Sequence, residues 1–403
     1  MKALRISFLA GLSIAMLVAG IFLGATLEKY FLYGGGGIDS ATGLRLVDEA
    51  WSITRTMYVD REATEPTRLA YGAIEGMLTS LGDTGHSAFL TPEDVRYRKD
   101  HASGQYEGIG IEVRYVPGRV EVVGVLDGSP AMAAGLKPGD QVIAIDGQPI
   151  VTPADARRVL GPAGTSVILT VISGEETREV ALARARLAIE TVSWAILPGS
   201  QIAHLRIAAF SKGTADKLNS AIDKIGPAAT KGIVLDLRGN SGGLYDEVVG
   251  ATSEFIGTGN VMLRKSAEGT IKAIPVKPDT TSAATTPLVV LVDRATASGA
   301  EVMAAALQDS GRATLVGETT AGTGTILRQF TLTDGSALLL GFELWLTPSG
   351  RSLWHQGLTP DITATLPEGV VSLKPVSEKK MTPEEISASG DSQLLTAMKL
   401  LAG

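Results

Sequence analysis

The sequence contains no cysteine and few histidines. The absence of cysteine excludes disulfides, thiolate metal sites and a cysteine nucleophile. No two histidines have the spacing by which one helix presents two ligands to zinc, so we predict no metal site. The four histidines are His86, His101, His204 and His355.

Clustered positive charge is also missing. The net charge is −7 and no basic patch stands out, so nucleic acid is not an expected partner. Hydrophobic residues make up 44% and charged residues 20% of the chain, as in folded globular proteins. The 403 residues are enough for two or three domains.

A long apolar run is present at the N-terminus. Lys2 and Arg5 precede "ISFLAGLSIAMLVAGIFLGATL", and roughly 20 apolar residues suffice to cross a bilayer as a helix. The preceding positive charges predict a cytoplasmic N-terminus and an extracytoplasmic body, periplasmic or extracellular. A cleaved signal peptide is the alternative, although its apolar region is usually shorter. We therefore predict a single-pass membrane anchor with a glycine linker over residues 1–37.

Apolar spacing divides the rest of the chain into regions. Residues 38–104 show a helical period, with Thr91 as a helix cap before Pro92. Residues 188–366 alternate buried strands with helices, which indicates an α/β domain, and end in a hairpin turning at Asp334-Gly335. We expect the polar tail over residues 367–403 to be loosely packed until a last short helix.

Residues 105–187 read as short strands separated by glycine turns. "YEGIGIEVRYV" and "GLKPGDQVIAIDG" resemble a PDZ domain. In such a domain, the loop Gly108-Ile109-Gly110-Ile111 would hold a terminal carboxylate with its backbone N–H groups, while the next strand edge pairs with the peptide. A small β-barrel with ordinary glycine turns is the alternative interpretation.

Two short segments follow buried strands, where α/β sheets bind their ligands. "LDLRGNSGG" places the N–H groups of Gly242 and Gly243 where they could face an oxyanion, although the segment could equally be a tight turn. Ser298 follows "PLVVLVDRATA" and precedes a helix, whose N-terminus favours an anion. By itself this serine reads as a helix cap.

The combination of motifs changes that interpretation. "MYVD", "GHSAFLTPED", "DLRGNSGG", "ASGAEVMAAALQD" and "TPSGRSLWHQGLTPDI", together with the PDZ-like segment, resemble the carboxyl-terminal processing proteases in the family's order. The resemblance covers residues 44–363. It implies an exported serine peptidase with an α/β, crotonase-like core that cleaves near protein C-termini and captures substrate tails with its PDZ domain. It implies no cofactor.

The resemblance assigns roles to individual residues. Ser298, before Gly299-Ala300-Glu301, takes the position of the nucleophile. Gly242 or Gly243 and the N–H of Gly299 take the positions of the oxyanion donors.

The general base departs from the family pattern. The family's lysine lies in a Gly-Lys-Gly step, and this chain has Thr323 there; Leu327 replaces the supporting glutamine. Threonine cannot deprotonate a serine near neutral pH, whereas histidine has a suitable pKa. His86 resembles the position of the base in the related tricorn-type peptidases.

His355 is the second candidate base, with Gln356 in the place of the acidic residue that orients the histidine and Asp361 as the nearest downstream carboxylate. A third possibility is that no competent base is present. Two hypotheses follow: a membrane-anchored serine endopeptidase, or an inactive pseudo-peptidase that binds peptides through its PDZ domain. Both expect protein or peptide partners with apolar C-terminal tails, and a homo-oligomer is compatible with either.

Overall fold

The computed structural model describes residues 40–402 except 84–86, 117, 127, 138, 152–154, 229–230, 279–282 and 284. The predicted anchor over residues 1–37 and the candidate base His86 lie outside the described residues. Across the described ranges, no helix has the length and apolar character needed to cross a bilayer. The chain divides into two compact units, which meet in sequence between Gly76 and Met77.

The predicted helical region contains three helices, as the apolar spacing indicated. Neither of the first two helices, α1 and α2, buries a residue. The third begins where the sequence predicts, because the Thr91 hydroxyl accepts a hydrogen bond from Asp94 N at 3.2 Å and Pro92 occupies the first turn. The elements are α1 Ser40–Met57, the 3₁₀ turn Glu62–Thr64, α2 Pro66–Thr79, β1 Ala88–Leu90 and α3 Pro92–Ala102.

The PDZ-like region is a small β domain with its own apolar core. Its main sheet has the strand order β3-β4-β5-β7-β8, and β2 pairs separately with β9. The predicted turn at Asp146-Gly147 is present, with positive φ at both residues. The elements are β2 Gln105–Gly108, β3 Ile111–Val116, β4 Arg119–Val125, α4 Pro130–Ala133, β5 Gln141–Ile145, β6 Gln148–Pro149, the 3₁₀ turn Asp155–Val159, β7 Ser166–Ser173, β8 Glu176–Ala183 and β9 Ala185–Ala188.

A six-stranded sheet, ordered β10-β11-β12-β15-β16-β19, forms the centre of the α/β region. All pairs from β11 to β19 are parallel, so their carboxyl ends lie at one edge. Every residue of β12 and β15 is buried, as their continuous apolar runs predict. The elements are β10 Val192–Ile196, β11 Ile202–Ile207, α5 Thr214–Ile225, the 3₁₀ turn Gly226–Ala228, β12 Gly232–Asp236, α6 Tyr245–Ser253, β15 Leu288–Val292, α7 Gly299–Asp309, β16 Thr314–Gly317 and β19 Ile362–Thr363.

A second sheet has five strands, and three of them, β1, β13 and β17, pair with strand β18. The predicted hairpin at Asp334-Gly335 is confirmed, with Thr331 opposite Ala337 at its end. The strands are β13 Asn260–Lys265, β14 Ile271–Pro275, β17 Thr325–Thr331 and β18 Ala337–Leu346.

The expectation of a loosely packed tail is wrong. Glu378, Asp391 and Gln393 are fully buried in spite of their polarity, and Ile386 is buried too. The last helix packs against β12, β15 and β16, with Leu394 in an apolar cluster of the central sheet. The tail contains α8 Pro375–Glu378, α9 Pro383–Ser387 and α10 Ser392–Ala402.

Candidate active site

Ser298 lies between strand β15 and helix α7 in a strained backbone conformation. Its φ is +52° and its ψ is −120°. A helix cap normally has extended backbone angles, whereas a non-glycine residue with positive φ costs about 1–3 kcal/mol and is typical of functional sites. A strained serine between a strand and a helix also exposes the nucleophile in α/β-hydrolases. This backbone conformation favours a nucleophile over a simple cap.

The Gly242-Gly243 turn follows β12 and lies directly against Ser298. A Cβ atom on Gly242 would lie 2.7 Å from Gly299 N and 2.9 Å from Ser298 Cβ, so only glycine fits there. A Cβ atom on Gly299 would lie 3.6 Å from Gly243 N. The N–H groups of Gly243 and Gly299 donate to no described residue. Two free donors therefore flank the serine, as an oxyanion site requires.

Asn240 fixes this glycine turn. Its side-chain amide donates to Ile207 O at 2.9 Å, and its Oδ1 accepts from Gly242 N at 2.8 Å. Its backbone carbonyl accepts from Ala297 N at 2.9 Å, next to the serine. Asn240 is fully buried. One residue therefore links the sheet, the glycine turn and the serine loop.

Glu301 is the centre of the hydrogen bonds around the serine, a role that the sequence analysis missed. The carboxylate is fully buried and accepts from Ser298 N at 2.9 Å, Gly322 N at 2.7 Å and Thr323 N at 2.9 Å. It also accepts from the hydroxyls of Thr320 and Thr323. Its position in the first turn of α7 was the available signal, because a carboxylate there can accept from the cap residue.

Thr323 occupies the position of the family's lysine and lies beside the serine. Its hydroxyl donates to Glu301 and accepts from Ser298 N. The residue therefore positions the serine backbone but offers no group that ionises near neutral pH. Leu327 lies in β17 as a partly buried apolar residue and cannot support a base.

The loop carrying His355 packs against the Gly322–Gly324 segment. His355 N donates to Gly322 O at 3.0 Å, and a Cβ atom on Gly324 would lie 2.3 Å from Trp354 Cβ. The imidazole itself is exposed and stacks on Trp354, with 4.6 Å between ring centroids. In the described part of the chain, no titratable side chain forms a hydrogen bond to Ser298 Oγ.

The two predicted orienting residues do not act on His355. Gln356 is exposed, and its N donates to Leu353 O at 2.9 Å within the same loop. Asp361 instead accepts from Leu315 N at 2.7 Å and from the Gln308 side chain at 2.9 Å.

The PDZ loop packs closely against Ser129. Gly110 has a φ of +86°, and a Cβ atom there would lie 2.2 Å from Ser129 Cβ. Ile109 is buried, and the N–H groups of Ile109 and Gly110 donate to no described residue. Gly108 pairs with Ala185 in the neighbouring ladder. The next strand, β3, begins at Ile111 and lies at one edge of its sheet among the described strands.

Comparisons with known proteins agree with this architecture. The model for Peptidase family S41 matches residues 201–364, and the PDZ domain model matches residues 121–173. The chain is 35% identical to carboxy-terminal processing protease CtpA of Bacillus subtilis over 312 residues, spanning 76% of this chain and 66% of that protein. It is 31% identical to the carboxyl-terminal-processing protease of Synechocystis over 363 residues, spanning 88% and 81%.

Solved structures resemble the described fold as well. The photosystem II D1 C-terminal processing protease superposes with a TM-score of 0.54 at 28% identity, over 80% of this chain and 94% of that one. An S41 protease of Bacteroides fragilis, at 18% identity, shares the fold with a TM-score of 0.57 over 88% and 96% of the two chains.

Proposed function

Because this chain belongs to the carboxy-terminal processing proteases, a family of serine peptidases, we propose that it is an endopeptidase in which Ser298 is the nucleophile. The observation that carries the proposal is the strained Ser298 beside the free N–H groups of Gly243 and Gly299. A serine held this way presents its hydroxyl to a peptide carbonyl while two donors face the oxygen that becomes negative.

The reaction follows from this arrangement. Ser298 Oγ attacks the scissile carbonyl carbon, and the N–H groups of Gly243 and Gly299 stabilise the tetrahedral oxyanion. The base takes the serine proton and then gives it to the leaving amine, which leaves an acyl-enzyme. Water, deprotonated by the same base, hydrolyses the ester and regenerates the serine.

We assign the base to His86. The residues on either side of its loop support this: Ser87 Oγ donates to Asp83 at 2.5 Å and accepts from Gly341 N at 3.0 Å. A Cβ atom on Gly341 would lie 3.2 Å from Thr325 Cβ, and Thr325 follows Thr323 by two residues. Ser87, which follows His86 in the sequence, is thus bonded to the sheet close to the family's lysine position. The exposed, stacked ring of His355 is the weaker candidate.

The PDZ domain would bind the substrate. We propose that the N–H groups around Ile109 and Gly110 hold the carboxylate of an apolar C-terminal tail, and that the tail adds a strand to the free edge of β3. We further propose that the apolar N-terminal run anchors the chain in the cell membrane with its catalytic body outside the cytoplasm, as its length and preceding charges indicate.

A peptide-binding adaptor is the second candidate function. It is favoured by one observation: the residue at the lysine position is Thr323, whose hydroxyl is engaged by Glu301 and Ser298 N. Retention of the strained serine and its two free donors argues against it, because a binding protein needs neither.

Cleavage of an unfolded protein by the chain from about Gly37 onward tests both functions. We expect wild type and His355→Ala to cleave and Ser298→Ala to be inactive. His86→Ala should lose about 10²–10⁴-fold in kcat, the usual contribution of general acid–base catalysis. The pH–rate profile of wild type should show an inflection near about 6–7.

Different outcomes refute different parts of the proposal. Equal cleavage by wild type and Ser298→Ala, or none by either, would exclude the peptidase and leave the adaptor. Cleavage by His86→Ala at the wild-type rate would refute only the base assignment.

A further inference from the structure

A buried ion network joins the tail of the chain to the strand that leads into the glycine turn. Arg238, two residues beyond β12, is only 2% exposed. Its guanidinium donates to Asp236 at 2.8 and 3.0 Å, and to both carboxylate oxygens of Asp391 at 2.9 and 3.0 Å. It also donates to Gln393 Oε1 at 3.1 Å. The planar fork of the guanidinium therefore spans two carboxylates from distant parts of the sequence.

Arg238 stands two residues before Asn240, which fixes the glycine turn. The peptide between them is held as well, because Gly239 N donates to Asp293 Oδ1 at 3.0 Å. Between the guanidinium and the proposed oxyanion donor Gly243, hydrogen bonds thus hold Gly239 N, the Asn240 side chain and Gly242 N. Displacement of Arg238 would be transmitted toward the donor through Asn240, because the Asn240 side chain is bonded to both Ile207 O and Gly242 N.

Two partners of Arg238, Asp391 and Gln393, come from outside the residues that match the peptidase family model, which end at 364. Asp391 is held in its own right: its carboxylate accepts from Leu373 N at 2.9 Å and from Leu394 N at 3.0 Å. Gln393 Nε2 donates to Ala364 O at 2.9 Å. Both side chains are therefore rigid supports for the guanidinium.

We propose that Asp391 and Gln393 are positioning residues of the active site, acting through Arg238 and Asn240 on the oxyanion donor Gly243. The proposal rests on the proposed function, because it assigns Gly243 that role. It makes the C-terminal segment a functional part of the peptidase, in addition to its packing role. An oxyanion donor must lie within about 2.7–3.1 Å of the developing charge, so small displacements lower the rate.

Three substitutions at two positions test this role in the full chain. Asp391→Asn removes the charge facing Arg238 but retains a residue that caps helix α10. Gln393→Met removes the oxygen, and Gln393→Glu restores it. We expect Asp391→Asn and Gln393→Met to lower kcat about 10–100-fold with little change in KM, since a misplacement of about 1 Å can cost 10²-fold. Gln393→Glu should retain most of the wild-type kcat.

Leu394→Ala is the matched control. This buried residue lies on the same helix as Gln393, and its apolar side chain packs in a cluster of the central sheet. It should lower the melting temperature while leaving kcat at the assay temperature unchanged. A peptide aldehyde, which forms a tetrahedral adduct with serine, supplies the second readout: its inhibition constant should rise by the same factor as kcat falls in Asp391→Asn and Gln393→Met.

The outcomes separate this inference from the function on which it rests. Loss of kcat in all four variants in proportion to melting temperature would show that the segment acts only through stability and would overturn the proposal. Unchanged kcat in Asp391→Asn and Gln393→Met would overturn it too, with the peptidase intact. Wild-type cleavage that does not depend on Ser298 would refute the proposed function itself.

Discussion

The two halves of the candidate site are built in different ways. On the oxyanion side, Asn240, the glycine turn and the start of α7 form a continuous set of backbone and buried side-chain hydrogen bonds. On the base side, the lysine position is filled by Thr323, which carries no ionisable group, and the nearby His355 is exposed and stacked. One side is defined by backbone geometry, and the other depends on a single side chain.

This difference shows which part of a serine peptidase site can change without loss of the rest. The oxyanion side needs glycine at positions where any Cβ would collide with backbone, so almost no substitution is compatible with it. The base can be supplied from another loop, provided that the new group reaches the serine with a suitable pKa. Thr323 adopts a structural role at the vacated position, because its hydroxyl completes the bonds around Glu301.

The largest effect should follow from disturbing the oxyanion side. Gly242→Ala would place a methyl group 2.7 Å from Gly299 N, inside the turn. We expect kcat to fall about 10²–10³-fold, the loss measured when an oxyanion donor is removed. Steady-state kinetics on a cleavable peptide provide the measurement.

Gly239→Ala is the matched control, because Gly239 also has a positive φ, of +68°, in the same loop but its Cβ would meet only the Arg206 side chain at 3.8 Å. It imposes similar backbone strain without the collision. If both alanine variants lose the same activity, strain rather than the shape of the oxyanion turn explains the loss.

A smaller effect, in the opposite direction, should follow from restoring the base side. Thr323→Lys in the His86→Ala background introduces an amine at the family's position, next to Ser298. We expect kcat to recover about tenfold, below the range of about 10²–10⁴-fold for general acid–base catalysis, because Leu327 does not support the amine. The optimum should move to higher pH, because the Glu301 carboxylate favours the charged amine.

Thr323→Met in the same background supplies a side chain of similar length without the amine. Recovery with methionine would show that volume rather than basicity limits the rate. If lysine restores no activity, an amine at position 323 cannot reach the serine proton, and the prediction is wrong.

The sequence predicted the parts of this comparison that depend on local patterns. The apolar runs identified β12 and β15, and motif order identified the positions of Ser298 and the glycine turn. The PDZ region, with its turn at Asp146-Gly147, was predicted from its glycines. Each of these signals lies within a few residues of the feature that it reports.

The missed features depend on partners that are distant in the chain. The polar composition of the tail suggested loose packing, but Asp391 is buried because Arg238, far earlier in the sequence, neutralises it. In the same way, nothing near Glu301 in sequence shows that Thr320 and Thr323 return to it. The assignment of His86 stays a prediction.

The smallest expected effect concerns pH. The pH dependence of stability should report the oxyanion side, and the pH dependence of kcat should report the base side. His204, fully buried in β11 beside the strand that leads into the glycine turn, lies 2.6 Å from Glu378 and 3.1 Å from Asp236. Burial is the largest single influence and favours the neutral ring, but the hydrogen bonds and charges of the two carboxylates together prevail and raise the pKa of His204 above 6.5. The stabilisation is therefore complete below pH 6.5 and is lost as pH rises through the raised pKa.

Glu378→Gln should weaken this dependence, because it removes one of the two charges that raise the pKa of His204. Above the ordinary pKa of histidine, the unfolding free energy of wild type should fall by up to about 1.4 kcal/mol per pH unit until the pH passes the raised pKa of His204. In the variant the pKa of His204 is raised less, so the fall should end at a lower pH. Denaturant unfolding at several pH values measures this dependence.

Glu384→Gln, an exposed change of equal charge on the same segment, should behave as wild type. The inflection of kcat, which belongs to the base side, should stay in place; if it moves with Glu378→Gln, the two sides titrate together and the separation drawn between them is wrong.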